Sequence, residues 1–305
     1  MKKGIIAGLI AYSIWGFFPL YFHQLKNVPA LQTTAHRVVW SFVLVLLVIL
    51  LRKEFKLLLA SLTARRVGIY VLAGVLLAAN WGTYVWAVAS GHVVESSLGY
   101  FINPIISVLL GVVFLKERLR KIQWLVVALA FAGVAYITIS TGKLPWISLI
   151  LATTFGFYGL IKKLADLPVM HGLVLETVAI FLPALGLIIA ADVAGKGSFL
   201  HSDPLINILL AMTGIVTVIP LILFSTAARN VPLSTLGLMQ YATPTFQFLQ
   251  GVYLFKEPFN TSKLVGFVLI WVALIIFTVE GLVHFRKPVS PEDLEQMDLE
   301  VTDMI

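Results

Sequence analysis

Apolar stretches of about twenty residues follow one another along this chain, separated by short polar breaks. A helix rises 1.5 Å per residue, so about 20 apolar residues cross the hydrocarbon of a bilayer. On that ruler the pattern predicts helices near 4–22, 34–51, 67–90, 94–115, 121–140, 145–163, 170–191, 204–228, 233–255 and 262–284. Barrel strands are excluded, because the stretches are too long and too continuously apolar. The first run, Ile5 to Phe22 after Lys2 and Lys3, is too long for a signal peptide and no small-residue cleavage site follows it. It is taken as the first span. Between spans 2 and 3, Phe55, Leu58, Leu59 and Leu62 recur at helical spacing within a basic segment. That predicts a short helix in the headgroup layer, with a solvated loop as the alternative.

One stretch occurs twice. Ser97-Leu98-Gly99 through Pro104, Gly111 and Lys116-Glu117 is answered by Thr235-Leu236-Gly237 through Pro244, Gly251 and Lys256-Glu257. The proline, the second glycine and the Lys-Glu pair lie 140 positions apart in the two copies, and the Leu-Gly pair 138 apart. Trp15-Gly16-Phe17-Phe18 is echoed by Phe155-Gly156-Phe157-Tyr158 at the same offset. The halves are therefore 3–140 and 145–284, with 285–305 as a tail. Five spans per copy is an odd number, so the copies enter the membrane from opposite sides as an inverted repeat. A proline-interrupted apolar helix that recurs in both halves marks the binding centre expected of a secondary transporter.

Composition agrees with a lipid solvent: 59% of residues are apolar, 12% are charged, and the mean hydropathy is +0.96. There is no cysteine, hence no disulfide and no thiolate metal site. The net charge is +7, yet residues 288–305 hold six acids and no base, so the rest of the chain carries +13. The tail is expected to be disordered. The bases do not indicate nucleic acid. With the N-terminus inside, sixteen of the 22 Lys and Arg fall on inner segments and five on outer loops, which puts both termini in the cytoplasm.

Thr34-Ala35-His36-Arg37-Val38-Val39-Trp40, Asn80-Trp81-Gly82, Glu95 through Pro104, Gln123-Trp124, Gly214 through Pro220, and Leu233 through Gly237 with Gln240-Tyr241 resemble the RarD branch of the EamA transporters, in the drug/metabolite transporter superfamily. The resemblance covers all the spans. It implies an all-α integral membrane carrier of the bacterial inner membrane, with ten helices in two EamA repeats around a central cavity. It leaves the cargo open.

Polar groups inside the hydrocarbon need a partner or a wet cavity. Arg37 with Glu95 and Glu176 with Arg229 are expected to pair as outer and inner gates. Snorkelling of Arg37 and helix capping by Glu95 are the plainer alternatives. Pro104, Pro220 and Pro244 should each free a carbonyl near mid-membrane. Trp15, Phe18, Asn80, Trp81, Tyr84, Tyr100, Asn103, Tyr158, Gln240, Tyr241 and Thr243 are the cavity candidates, and such walls suit a neutral or zwitterionic, moderately apolar compound. The expected partners are that small molecule and the bilayer. Protons are the further candidate, through His36, Glu95 or Glu176, and uncoupled transport fits the sequence equally well. No metal or other cofactor and no enzymatic motif is expected. A lipid scramblase or a membrane sensor is the competing class.

Single cysteines introduced into this cysteine-free chain test the inverted repeat directly. Lys256→Cys should react with an impermeant maleimide added outside intact cells, and Lys116→Cys only after the membrane is opened. Reaction of both from one side would rule out the inversion.

Overall fold

A computed structural model describes residues 2–116, 119–164, 167–230 and 240–285, and every regular element within them is helical. In chain order these are α1 (Lys2–Gly16), α2 (Phe18–Gln24), α3 (Ala30–Leu51), α4 (Phe55–Ala60), α5 (Ala64–Ala89), α6 (Val93–Leu115), α7 (Lys121–Thr141), α8 (Trp146–Leu164), α9 (Val169–Val193) and α10 (Pro204–Asn230). Then come α11 (Ala242–Leu249), continued by a π-helical turn (Gln250–Leu254), and α12 (Thr261–Phe285).

Among the described residues, eight helical stretches are long and apolar enough to cross a membrane. Of the expected spans, the sixth is a shorter apolar helix, Trp146–Lys162. The ninth is described only from Gln240 onward and is not one regular helix there. The acidic tail beyond Phe285 lies outside the described residues. Between the second and third spans a short helix is present: α4 buries Leu58, and Leu62 lies beyond its end.

The first span departs from the expected single helix, and Pro19 is the reason. A proline has no N–H for the carbonyl four residues back and its ring crowds that carbonyl. The helix ends at Gly16 and restarts at Phe18 with Pro19 in its first turn. The carbonyls of Trp15 and Gly16 are freed, and glutamines from the other half take them. Gln247 Nε2 donates to Trp15 O at 3.1 Å, and Gln250 Nε2 to Gly16 O at 2.7 Å.

The main helix pairings are α1 with α10 and α11, α3 with α9 and α10, α5 with α8 and α9, α6 with α8 and α11, and α7 with α12. Individual contacts recur at the 140-residue offset. Gly16 lies against the Phe246 side chain, and Gly156 against Ile106. Thr243 Oγ1 donates to Tyr12 O at 2.8 Å, and Asn103 Nδ2 to Ala152 O at 3.0 Å. Lys116 and Lys256 both adopt left-handed backbone, φ 57° and 53°. Large aliphatic side chains such as Leu51, Ile139, Leu182 and Val193 are exposed on the outside, as a lipid-facing surface requires.

Small residues set the closest approaches. A Cβ on Gly74 would collide with the backbone carbonyl of Glu176, and one on Gly214 with the backbone of Trp40. In lipid such packing, rather than hydrophobic burial, holds helices together. Gly74→Ala should therefore cost about 1–3 kcal/mol through forced separation of α5 and α9. Gly186→Ala, which meets nothing within 4 Å, should stay within about 1 kcal/mol of the parent. Thermal unfolding midpoints in detergent would compare the two.

Candidate functional site

Where α1, α2, α3, α5, α6, α8, α10 and α11 converge, the interior opens into a cavity with about 640 Å³ of atom-free space, part of it continuous with the outside. It is narrow, with room for only a few water molecules. The walls are Tyr12, Trp15, Phe18, Arg37, Leu77, Asn80, Trp81, Tyr84, Tyr100, Phe155, Leu221, Gln240, Thr243, Pro244 and Gln247. Aromatic rings dominate, with a few amides and hydroxyls and one cation.

Eight of the eleven residues expected to line a cavity do so: Trp15, Phe18, Asn80, Trp81, Tyr84, Tyr100, Gln240 and Thr243. The other three lie elsewhere for identifiable reasons. Asn103 ties helices together, donating to Ala152 O and accepting from Gln240 Nε2 at 3.1 Å. Tyr158 donates to Glu176 Oε2 at 3.1 Å, away from the cavity. Tyr241 is the turn residue before α11 and packs against the buried cluster that includes Phe101 and Phe267. Of the three prolines, Pro104 and Pro220 lie inside α6 and α10, and Pro244 sits in the first turn of α11 and lines the cavity.

Of the two expected gate pairs, Arg37 and Glu95 do not pair, and the Glu176–Arg229 pair involves a side chain outside the described residues. Glu95 borders a separate surface pocket with His92, Lys143 and Lys263. Arg37 lies instead in the cavity wall, 3% exposed, with Nε donating to Thr217 Oγ1 at 2.7 Å. Its guanidinium lies over the Trp81 ring at 4.3 Å and over the Phe18 and Phe22 rings at 5.3 Å each. Glu176 is fully buried and takes Lys162 Nζ on Oε1 at 2.7 Å, together with the Tyr158 hydroxyl on Oε2. The side chain of Arg229 lies outside the described residues. Linear spacing placed Arg37 and Glu95 at the same end of their spans, but side-chain direction around each helix sends them to different faces. His36 is buried against the Phe199 ring, centroids 5.0 Å apart, and does not reach the cavity.

The two ends of the bundle are tied by different means. At one end Lys162 and Glu176 join α8 to α9, the Lys162 ammonium also lies over the Tyr70 ring of α5, and His171 Nε2 meets Glu54 Oε2 at 3.2 Å. At the other, the Glu257 carboxylate accepts from the backbone amides of Val93 (2.6 Å) and Val94 (2.8 Å), capping α6. Sequence reasoning missed Tyr12, Leu77, Phe155, Leu221 and Gln247. The spacing of Gln240 and Gln247, two helical turns apart, was the available signal for the last.

A bundle of membrane-length helices around an aromatic-lined interior cavity is an architecture that membrane transporters use. The chain belongs to the RarD branch of the EamA transporter family, in the drug/metabolite transporter superfamily: the EamA-like transporter family matches residues 2–139, and full-length relatives extend the match. Protein RarD of Streptomyces exfoliatus is 44% identical over 94% of this chain and 91% of its own. An uncharacterized transporter of Pseudomonas aeruginosa is 43% identical over 95% and 98%, and protein RarD of Escherichia coli 38% over 94% and 97%. A crystal structure with 17% sequence identity superposes with a TM-score of 0.60 over 92% of this chain and 98% of that one, a likeness of fold.

The Lys162–Glu176 pair generates a stability prediction. Lys162→Met leaves a buried carboxylate without its cation and should cost about 2 kcal/mol, below the usual loss for a fully buried pair because Lys162 is 27% exposed. Adding Glu176→Gln should recover most of that loss. Equal unfolding midpoints for the single and double variants would show that the pair is not coupled.

Proposed function

We propose that this chain is a secondary carrier that moves a small metabolite or amphipathic compound across the bacterial inner membrane by alternating access, in the export direction. Ten helices form two inverted five-helix repeats, residues 3–140 and 145–284, with both termini in the cytoplasm. The cavity at the crossing of both halves carries this reading: it lies within the bundle and is lined by side chains from each half.

The pairing of helices supports the repeat. Exchange α1 with α8, α3 with α9, α5 with α10, α6 with α11 and α7 with α12, and the set of main pairings maps onto itself. Thus α1–α10 becomes α8–α5, α3–α10 becomes α9–α5, and α6–α8 becomes α11–α1. Two halves with interchangeable partners have two equivalent closed forms, which is what alternating access needs. The ties at opposite ends fit gates that open in turn. Glu176, buried between the Lys162 ammonium and the Tyr158 hydroxyl, is the candidate for proton coupling in this reading; uniport is compatible with the same geometry. A scramblase needs a hydrophilic track open to lipid. The outward groove along α1 is lined by Leu9, Ile10, Ile14, Phe17, Phe18 and Val216, with only Ser13 and Tyr21 polar.

Counterflow in proteoliposomes, with labelled amino acids and small amphipathic compounds, with and without a pH gradient, tests the reading. Accumulation against unlabelled internal solute is expected, and Tyr100→Ala should reduce it at unchanged unfolding midpoint. Scrambling of labelled lipid without any solute exchange would replace the carrier by the rival class.

A further inference from the structure

Arg37 is the only charged side chain in the cavity wall among the described residues, and no carboxylate there answers it. We propose that Arg37 binds a carboxylate of the cargo, so that the transported compound is an organic monocarboxylate with an apolar or aromatic body. The inference rests on the carrier reading above and narrows it, since the wall composition alone suggested a neutral or zwitterionic solute.

An arginine in the membrane interior is costly, and structural arginines are paired with acids or with backbone carbonyls. This one has its Nε held by Thr217 and its guanidinium carbon over the Trp81 ring at 4.3 Å. Among the described residues the Thr217 bond is the only hydrogen bond the guanidinium makes, which leaves its terminal N–H donors available. Those donors form a fork that matches the two oxygens of a carboxylate. The ring contact and the Thr217 bond also fix the orientation in advance, so little rotamer freedom is lost on binding. The remaining walls specify the rest of the molecule. Trp15, Phe18, Trp81 and Phe155 give an aromatic slot. Two further polar atoms, the Tyr84 hydroxyl and Gln247 Oε1, are buried in the same wall without a hydrogen-bond partner among the described residues. Tyr84 can donate to the anion, and Gln247 can accept from an N–H or O–H of the cargo. A single cation balances one negative charge. A phosphate monoester would bring a second charge into a wall that has nothing to meet it.

The test uses the full-length chain in detergent and in proteoliposomes, with matched acids and amides as probes: benzoate, phenylacetate, 3-phenylpropionate and indole-3-acetate, each against its own primary amide, with phenyl phosphate as the dianion. Equilibrium binding should favour at least one acid over its amide by about 30-fold or more, the scale of a charge-assisted pair, and phenyl phosphate should bind no better than an amide. Arg37→Gln should erase the preference for the acid. Arg37→Lys, which keeps the charge without the fork, should retain a preference reduced about tenfold. Thr217→Val should weaken acid binding and keep the preference, and it supplies a readout if Arg37→Gln does not fold. An amide that binds as tightly as its acid, a preference that survives Arg37→Gln, or no acid binding at all would overturn the proposal. If neutral solutes then exchange in counterflow, the carrier stands without a carboxylate cargo. If no solute exchanges, the carrier reading has failed and the cargo inference falls with it.

Discussion

A backbone carbonyl set free inside hydrocarbon has no water to turn to, and protein must supply its donor. That constraint joins the two halves at α1. Pro19 deprives the carbonyl of Trp15 of its helical partner, and the break at Phe17 frees that of Gly16. Gln247 and Gln250, on α11 and the π-helical turn, reach across to take them. Trp15 and Phe18, on either side of the break, both line the cavity, and the glutamines that meet the freed carbonyls tie α11 to α1. The cavity lies beside this junction. An unbroken first helix would need none of these bonds.

Charge is arranged on the same scaffold with opposite outcomes. Phe18 and Phe22 precede Tyr158 and Lys162 by 140 positions, and Glu176 follows His36, the neighbour of Arg37, by 140. In the second half the acid finds a base and a hydroxyl on the adjacent helix, and the cluster closes on itself. In the first half the cation finds aromatic rings at the corresponding places. Rings screen a guanidinium only in part, by about 0.5–2 kcal/mol each at best, so its polarity remains directed into the cavity. Divergence at these related positions therefore separates a tie from a binding group.

The repeated Lys-Glu pair has a separate mechanical reason. Lys116 and Lys256 are each the left-handed residue where a helix-like segment stops. After such a stop the chain turns back, and Glu257 is delivered to the amides that open α6. An ionised carboxylate at the positive end of a helix satisfies two orphan donors at once. The contact links the end of one apolar segment to the start of another in the opposite half.

Much of this was legible in the chain. Hydrophobic periods of about twenty residues mark the membrane helices because hydrocarbon admits little else, and the recurrence of glycine, proline and Lys-Glu at a constant offset marks the duplication. Wall residues such as Asn80, Trp81 and Tyr100 could be named because aromatic and amide groups are conspicuous in otherwise aliphatic helices. Partners could not be named. Depth along a helix follows from counting, at 1.5 Å per residue, but the direction a side chain takes depends on rotation about the axis and on the neighbour it meets. Arg37 and Glu95 match in depth and turn to different surroundings, Tyr158 turns from the cavity to Glu176, and Pro19 matters only because two glutamines some 230 positions later come to lie beside it. Only the packed structure, where glycine sets how closely each pair of helices can approach, decides which polar group faces the cargo and which holds the protein together.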